Sequence, residues 1–483
     1  MTGPMVDITD WDATALSQRI HQREVSCTEV MRAYLDRSHR LNPTYNAIVN
    51  LADDEVLLNQ SRQLDDELSR GHSRGWLHGI PQAIKDTGHA LGFPSTQGSR
   101  LLAHVMAERD SIMTARMKAA GCIVIGKTNM PELGLGSHTF NELFGATPNA
   151  WDTRVSAGGS SGGAAVALAH RMLPVADGSD FMGSLRNPAG WNNLLGMRPS
   201  QGRVPIGPGA DVWVDQLGTE GPMARSVRDL AQLLATQSGY DPLQPLSIQG
   251  SLDVSHLVYT PQSLQGLRIG WLGDLQGHLA VEDGILPVLE GALQRMQMAG
   301  AQVQPLSLGY DLHALWDCWL VWRRALVGPK VAALLARPDV RHTLKPEAMW
   351  EYEHSLKLSS MDFQRASQER TRFYHHLLKL FEQVDVLALP TAQVWPFPLE
   401  QRWPQRIGQR AMDTYHRWME CTLYATLAGL PAISLPAGFH AEQPWPVGLQ
   451  LIGKPQGDLA LLQTAASYEA IASDTLQRRP AVA

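Results

Sequence analysis

The sequence predicts an α/β fold: one large domain on a mixed, twisted central sheet covered by helices on both faces. Three observations predict it. Short apolar runs bounded by glycines, such as Gly121-Cys122-Ile123-Val124-Ile125-Gly126-Lys127, have the length and texture of buried strands. Segments with apolar residues at helical intervals alternate with them. Strand signals return after Val384, once a long and mostly helical stretch has ended, so the sheet is interrupted rather than finished.

Taken in order, residues 1–70 read as helical. Ser26-Cys27-Thr28-Glu29 has capping-box spacing, and Val30, Tyr34 and Leu41 continue at helical intervals. Asp53 to Leu68 is a second polar helix with an apolar stripe. The catalytic core is expected over 71–238. Gly79 to Asp86 reads as a strand ending in a polar turn, Asp110 to Ala120 as a helix, and Leu173-Pro174-Val175-Ala176-Asp177 as a further strand. Residues 239–384 form a variable, largely helical insertion. It opens on Pro242, Pro245 and Pro261, carries a strand at Leu267 to Leu272, and has helices at Glu290 to Met298 and Phe363 to Phe381. Residues 385–483 return to the core, starting with the strand Asp385 to Thr391. Residues 1–483 are thus read as a single domain.

A length of 483 residues and an apolar fraction of 44% allow a sizeable core. The formal charge of −6, with no basic block, argues against a nucleic-acid surface. Four scattered cysteines, with no C-x-x-C pair, argue against zinc ribbons and a disulfide framework. Met1 to Trp11 shows no signal peptide, and no window has the roughly 18 apolar residues that span a bilayer. A cytoplasmic enzyme without membrane or nucleic-acid partners is expected, and a homodimer is left open.

Chemistry concentrates in two glycine-rich turns. The first is Ala157-Gly158-Gly159-Ser160-Ser161-Gly162-Gly163; the second is Gly178-Ser179-Asp180-Phe181-Met182-Gly183-Ser184-Leu185-Arg186. The apolar run Ala164 to Ala169 joins them, which suggests loop, helix, strand and loop. If Leu185 opens a helix, N–H groups around Phe181 to Ser184 have no intrahelical partner and can hold a forming oxyanion. The bland alternative is a capping serine in a glycine loop. Gly158, Ser160 and Gly162 also match G-x-S-x-G, which keeps a conventional α/β hydrolase with Ser160 as nucleophile open. A phosphate loop is weaker, because no lysine follows the glycines. Lys85 ends an otherwise apolar strand. It is either paired with Asp86 or snorkelling, or it is a neutral general base with a pKa lowered by burial, as in Ser–Lys dyads.

These segments resemble the amidase signature family. The resemblance rests on Gly79 to Asp86, Gly121 to Asn129 with Pro131-Glu132, Pro148-Asn149 leading into Ser156 to Gly163, and Ser179-Asp180 to Pro188. It continues in Gly221-Pro222-Met223-Ala224-Arg225, Leu427 to Pro436 and Pro446 to Gly453. It covers nearly everything except about 240–380. The resemblance implies a Ser–cis-Ser–Lys triad. Ser184 is the acylated nucleophile, Ser160 the bridging serine on a cis Gly159–Ser160 bond, and Lys85 the base. It implies an oxyanion hole from the N–H groups of Phe181, Met182, Gly183 and Ser184, with Ser161, Asp180 and Arg186 supporting the loop. No metal or cofactor is implied. Met182 stands where the family has glycine, Phe181 where it often has threonine or isoleucine, and Asn187 replaces its apolar residue or glutamine. Together these suggest an apolar, non-standard pocket.

The expected function is hydrolysis of the carbon–nitrogen bond of a small hydrophobic or aryl linear amide, with esters or carbamates as side substrates. Two rivals on the same scaffold are a glutamine-hydrolysing transamidase subunit working with a partner, which Asn187 in place of glutamine disfavours, and a non-catalytic binding protein. In the insertion, Trp316, Cys318, Trp319 and Trp322 have helical spacing that fits a core stripe better than a pocket wall. His375-His376 lacks metal-ligand spacing. The loop Trp395 to Trp403 fits either a pocket rim or a surface connection.

Overall fold

The computed structural model describes residues 7–338 and 340–481. The first six residues of the segment read as lacking a signal peptide lie outside the described residues. Two sheets organise the chain. The larger has eight strands in the order Gln302–Pro305, Arg268–Trp271, Val386–Pro390, Pro446–Gly453, Ala432–Phe439, Leu195–Arg198, Thr219–Ala224, Ala176–Asp180. Its first three strands are mutually parallel and the remaining neighbours antiparallel. The smaller sheet places Ile123–Thr128 between Ile48–Val49 and Pro81–Lys85. Lys85 therefore sits on a different sheet from the strand that leads to Ser184.

The helix Gly162–Ala169 ties the two sheets together. It packs on strands of both, and its residues are apolar all round because nearly every face is buried. Small residues permit that approach: a Cβ on Gly163 would stand 2.4 Å from the Asn129 backbone nitrogen. The N-terminal helices behave as their sequence dictates. Ser26 Oγ accepts from Glu29 N at 3.1 Å while Ser26 N donates to Glu29 Oε2 at 2.8 Å, and the helix Cys27–Tyr45 buries Val30, Tyr34 and Leu41.

One strand is displaced from its expected position. The sheet uses Ala176–Asp180 rather than 173–177, so Gly178-Ser179-Asp180 is strand and not turn. Glycine, serine and aspartate are poor strand formers, but pairing overrides that preference: Gly178 faces Gly221 and Ser179 faces Glu220 across the antiparallel ladder.

Residues 239–384 contribute the strands Arg268–Trp271 and Gln302–Pro305 and the helices Ile285–Met298, Leu312–Leu335, Pro346–Ser355 and Ser360–Gln383. Trp316, Cys318, Trp319 and Trp322 are buried in the core that Leu312–Leu335 shares with Ser360–Gln383. Cys318 Sγ donates to Ala366 O at 3.2 Å, and burial pushes its thiol up to about 12. All four cysteines are free and buried. Among the described residues no helix is long and apolar enough to cross a membrane.

Candidate active site

The site forms where the two sheets meet. Pro81–Lys85 ends with Lys85 only 1% exposed. Its backbone N–H donates to Asp177 Oδ2 at 3.1 Å, which docks the strand end onto the neighbouring sheet. Lys85 Nζ then lies 2.7 Å from Ser160 Oγ, 2.8 Å from Ser161 Oγ and 2.9 Å from Ser179 Oγ. Asp86 does not pair with it, since that carboxylate faces Lys127 at 3.3 Å. Burial pulls Lys85 down to about 7, against the raising effect of Asp180, Asp177 and Glu220.

The first glycine turn enters the helix Gly162–Ala169 from bends rather than from a strand, so Ser160 is not on a strand-to-helix elbow. The Gly159–Ser160 peptide is cis. Ser161 occupies the N-cap position, yet its hydroxyl makes no cap bond and is directed to Lys85 and Ser179.

The second turn runs from the end of Ala176–Asp180 to the helix Arg186–Trp191. Asp180 organises it. Burial alone would raise this carboxyl, but Arg186 and Arg198 hold it well below the usual carboxylate range. It accepts from Leu185 N at 3.2 Å. The Gly183 N–H, expected to face a substrate oxygen, instead donates to Asp180 Oδ1 at 2.8 Å. That engagement follows from the turn folding back onto the carboxylate, with Gly183 in the left-handed region at φ 88°.

Ser160, Ser179, Phe181, Met182 and Ser184 all line one cavity of about 410 Å³. Its walls are largely apolar, with Leu102, Leu133 and Leu135 on one side and Val327, Val331 and Leu334 from the helix Leu312–Leu335 on the other. Asn187, expected to shape the pocket, lies behind it; its Oδ1 accepts from Gly159 N at 3.3 Å. None of residues 395–403 lines the cavity, because Trp395 and Phe397 turn inward and Ser156 N donates to Phe397 O at 2.8 Å.

Three cavity residues escape a reading of the sequence. Ser179 stands inside a recognisable motif but has the local texture of a turn. Glu220 is a lone acid before Gly221-Pro222-Met223-Ala224, and that isolation is the available signal. Arg323 interrupts the tryptophan stripe of Leu312–Leu335; it donates to Glu351 and Tyr415 and stands 5.6 Å over the Phe181 ring.

Comparison with known proteins places this geometry among relatives. The family model described as Amidase matches residues 29–462. The chain is 32% identical to the GatA-type component of the glutamyl-tRNA(Gln) amidotransferase of Mycobacteroides abscessus, over 96% of this chain and 98% of that one. Among solved structures it is similar to a bacterial aryl acylamidase of the amidase signature enzymes, with a TM-score of 0.89, 28% identity and coverage of 98% and 99%. It is also similar to 6-aminohexanoate cyclic dimer hydrolase in complex with substrate, with a TM-score of 0.86, 26% identity and coverage of 99% and 100%.

Proposed function

This chain belongs to the amidase signature family, enzymes that act on the carbon–nitrogen bond of amides, and from that premise we propose that it is a stand-alone amidase for small hydrophobic or aryl amides. One observation carries the reading. A buried lysine nitrogen, 2.7 Å from Ser160 Oγ, stands at the base of an apolar cavity that Ser184 also lines.

In the proposed reaction, Ser184 Oγ attacks the amide carbonyl. Its proton passes to Ser160, whose own proton passes to the neutral Lys85 amine. The oxyanion is held by the N–H groups of Phe181, Met182 and Ser184, because Asp180 already occupies that of Gly183. The proton then returns through Ser160 to the leaving nitrogen, the C–N bond breaks, and an acyl group remains on Ser184. Water, deprotonated by the same relay, releases the acid and regenerates the serine.

The test is single substitution with amine release as readout. Ser184→Ala abolishes turnover and fluorophosphonate labelling, whereas full activity in Ser184→Ala together with a dead Ser160→Ala would assign the nucleophile to Ser160. A panel of anilides, aliphatic amides, lactams and carbamates then ranks the substrates.

The resemblance to the amidotransferase component supports a second reading, a glutamine-hydrolysing protein that needs a partner. Turnover of a simple anilide by the purified chain alone separates the two: it supports the first reading, and glutamine hydrolysis only on addition of a partner supports the second.

A further inference from the structure

Glu220 lines the cavity from the strand Thr219–Ala224 and has no role in the relay described above. It is 6% exposed, and its Oε2 is buried without a hydrogen-bond partner among the described residues. An unpaired buried acceptor is costly unless something else satisfies it. Its position says what that is. Glu220 pairs in register with Ser179, so the two side chains stand on the same face of the sheet. Ser179 Oγ is 2.9 Å from Lys85 Nζ, and Lys85 Nζ is 2.7 Å from Ser160 Oγ. The nitrogen that departs as the acyl group settles on Ser184 must reach Ser160 for its proton, and so passes in front of Glu220.

We propose that Glu220 recognises the leaving-group nitrogen, its carboxyl oxygen accepting the hydrogen bond of the substrate amide N–H, and so selects amides carrying an N–H over esters and tertiary amides. The inference rests on the Ser184–Ser160–Lys85 reading above. The electrostatics agree with it. Burial, with Asp177 nearby, pushes the Glu220 carboxyl up to about 8 against the opposing pull of Lys85. At neutral pH it is an uncharged acid, so it receives an N–H without placing a second negative charge next to the forming oxyanion.

The test compares a 4-nitroanilide with the 4-nitrophenyl ester of the same acid. Glu220→Met removes the acceptor at similar volume; the expected loss in kcat/KM is at least about tenfold larger for the anilide than for the ester. Glu220→Gln keeps a carbonyl acceptor and the amide-to-ester ratio of the wild type. Equal losses on both substrates in Glu220→Met overturn the proposal, as does a Glu220→Gln ratio that matches that of Glu220→Met. Fluorophosphonate labelling of Ser184, which involves no amine, reports that each variant is intact. Where Glu220→Met does not fold, wild type carries the test: N-methylation of the anilide costs at least about tenfold if the N–H is read, and a smaller loss overturns it. Loss of labelling and turnover in Ser184→Ala, scored separately, reports on the relay itself.

Discussion

Arg186 and Asp180 grip each other in a two-pronged ion pair across the turn that carries Ser184, Nη2 to Oδ1 at 2.8 Å and Nε to Oδ2 at 3.0 Å, with both side chains fully buried. The pair bridges the end of a strand and the start of a helix, so the turn between them has little freedom. Arg198 adds a second cation, donating to Asp180 O at 2.7 Å.

Asp180→Asn leaves two guanidinium groups without their counter-charge. The expected cost is about 3–5 kcal/mol of stability, the range for breaking one side of a buried pair. Denaturant unfolding followed by tryptophan fluorescence measures it, and a loss below about 1 kcal/mol would show that the clamp is not structural.

Lys85 sets the pH profile. Its folded pKa is lowered to about 7, and the relay needs the uncharged amine. Below that value the lysine is protonated, so log kcat/KM falls by about one unit per pH unit; above it the profile is flat. The measurement is kcat/KM for an anilide from about pH 5.5 to 9. Lys85→Ala lowers turnover by about 10²–10⁴-fold and removes the acid limb.

Gly183→Ala tests the turn itself. At φ 88° an added Cβ meets Thr422 Cγ2 at 2.7 Å, so the backbone that presents Ser184 must move. A fall of about 10²–10³-fold in kcat is expected, comparable to losing an oxyanion donor. Near-native kcat would show that the turn tolerates the shift.

Met182 fills part of the cavity where the family has a second glycine. Met182→Gly enlarges that wall. Anilides of short acids should lose about tenfold in kcat/KM, while longer or bulkier acyl groups gain, as expected for a few methylenes of pocket volume. A series from acetanilide to the hexanoyl homologue reads the crossover.

The loops that carry Ser160 and Ser184 are legible in the sequence because close backbone approach restricts them to small residues at fixed spacing. Gly163 against Asn129 and Gly183 against Thr422 are the physical source of that pattern. Helix starts are legible for the same local reason, as at Ser26. What stays hidden depends on contacts made far away in the chain. Ser179 becomes strand only through Thr219–Ala224, and Glu220 gains meaning only by facing it. Arg323, Val327 and Leu334 line the cavity because Leu312–Leu335 packs where it does, and no local rule fixes the orientation of that helix. The Gly183 N–H, expected in the oxyanion hole, goes to Asp180 because the recipient of a backbone donor is a matter of turn geometry, not of residue type.

Arg186 also donates to Thr422 O at 2.9 Å and to Gln450 Oε1, a residue 264 positions later in the chain. The support of the Ser184 turn is therefore completed by segments that leave the ribosome late. A nascent chain that has emerged only as far as Val384 already displays Lys85, Ser160 and Ser184, but lacks the partners that lock the turn. Synthesis order thus acts as a safety catch: the nucleophile gains its support only after Gln450 has been made.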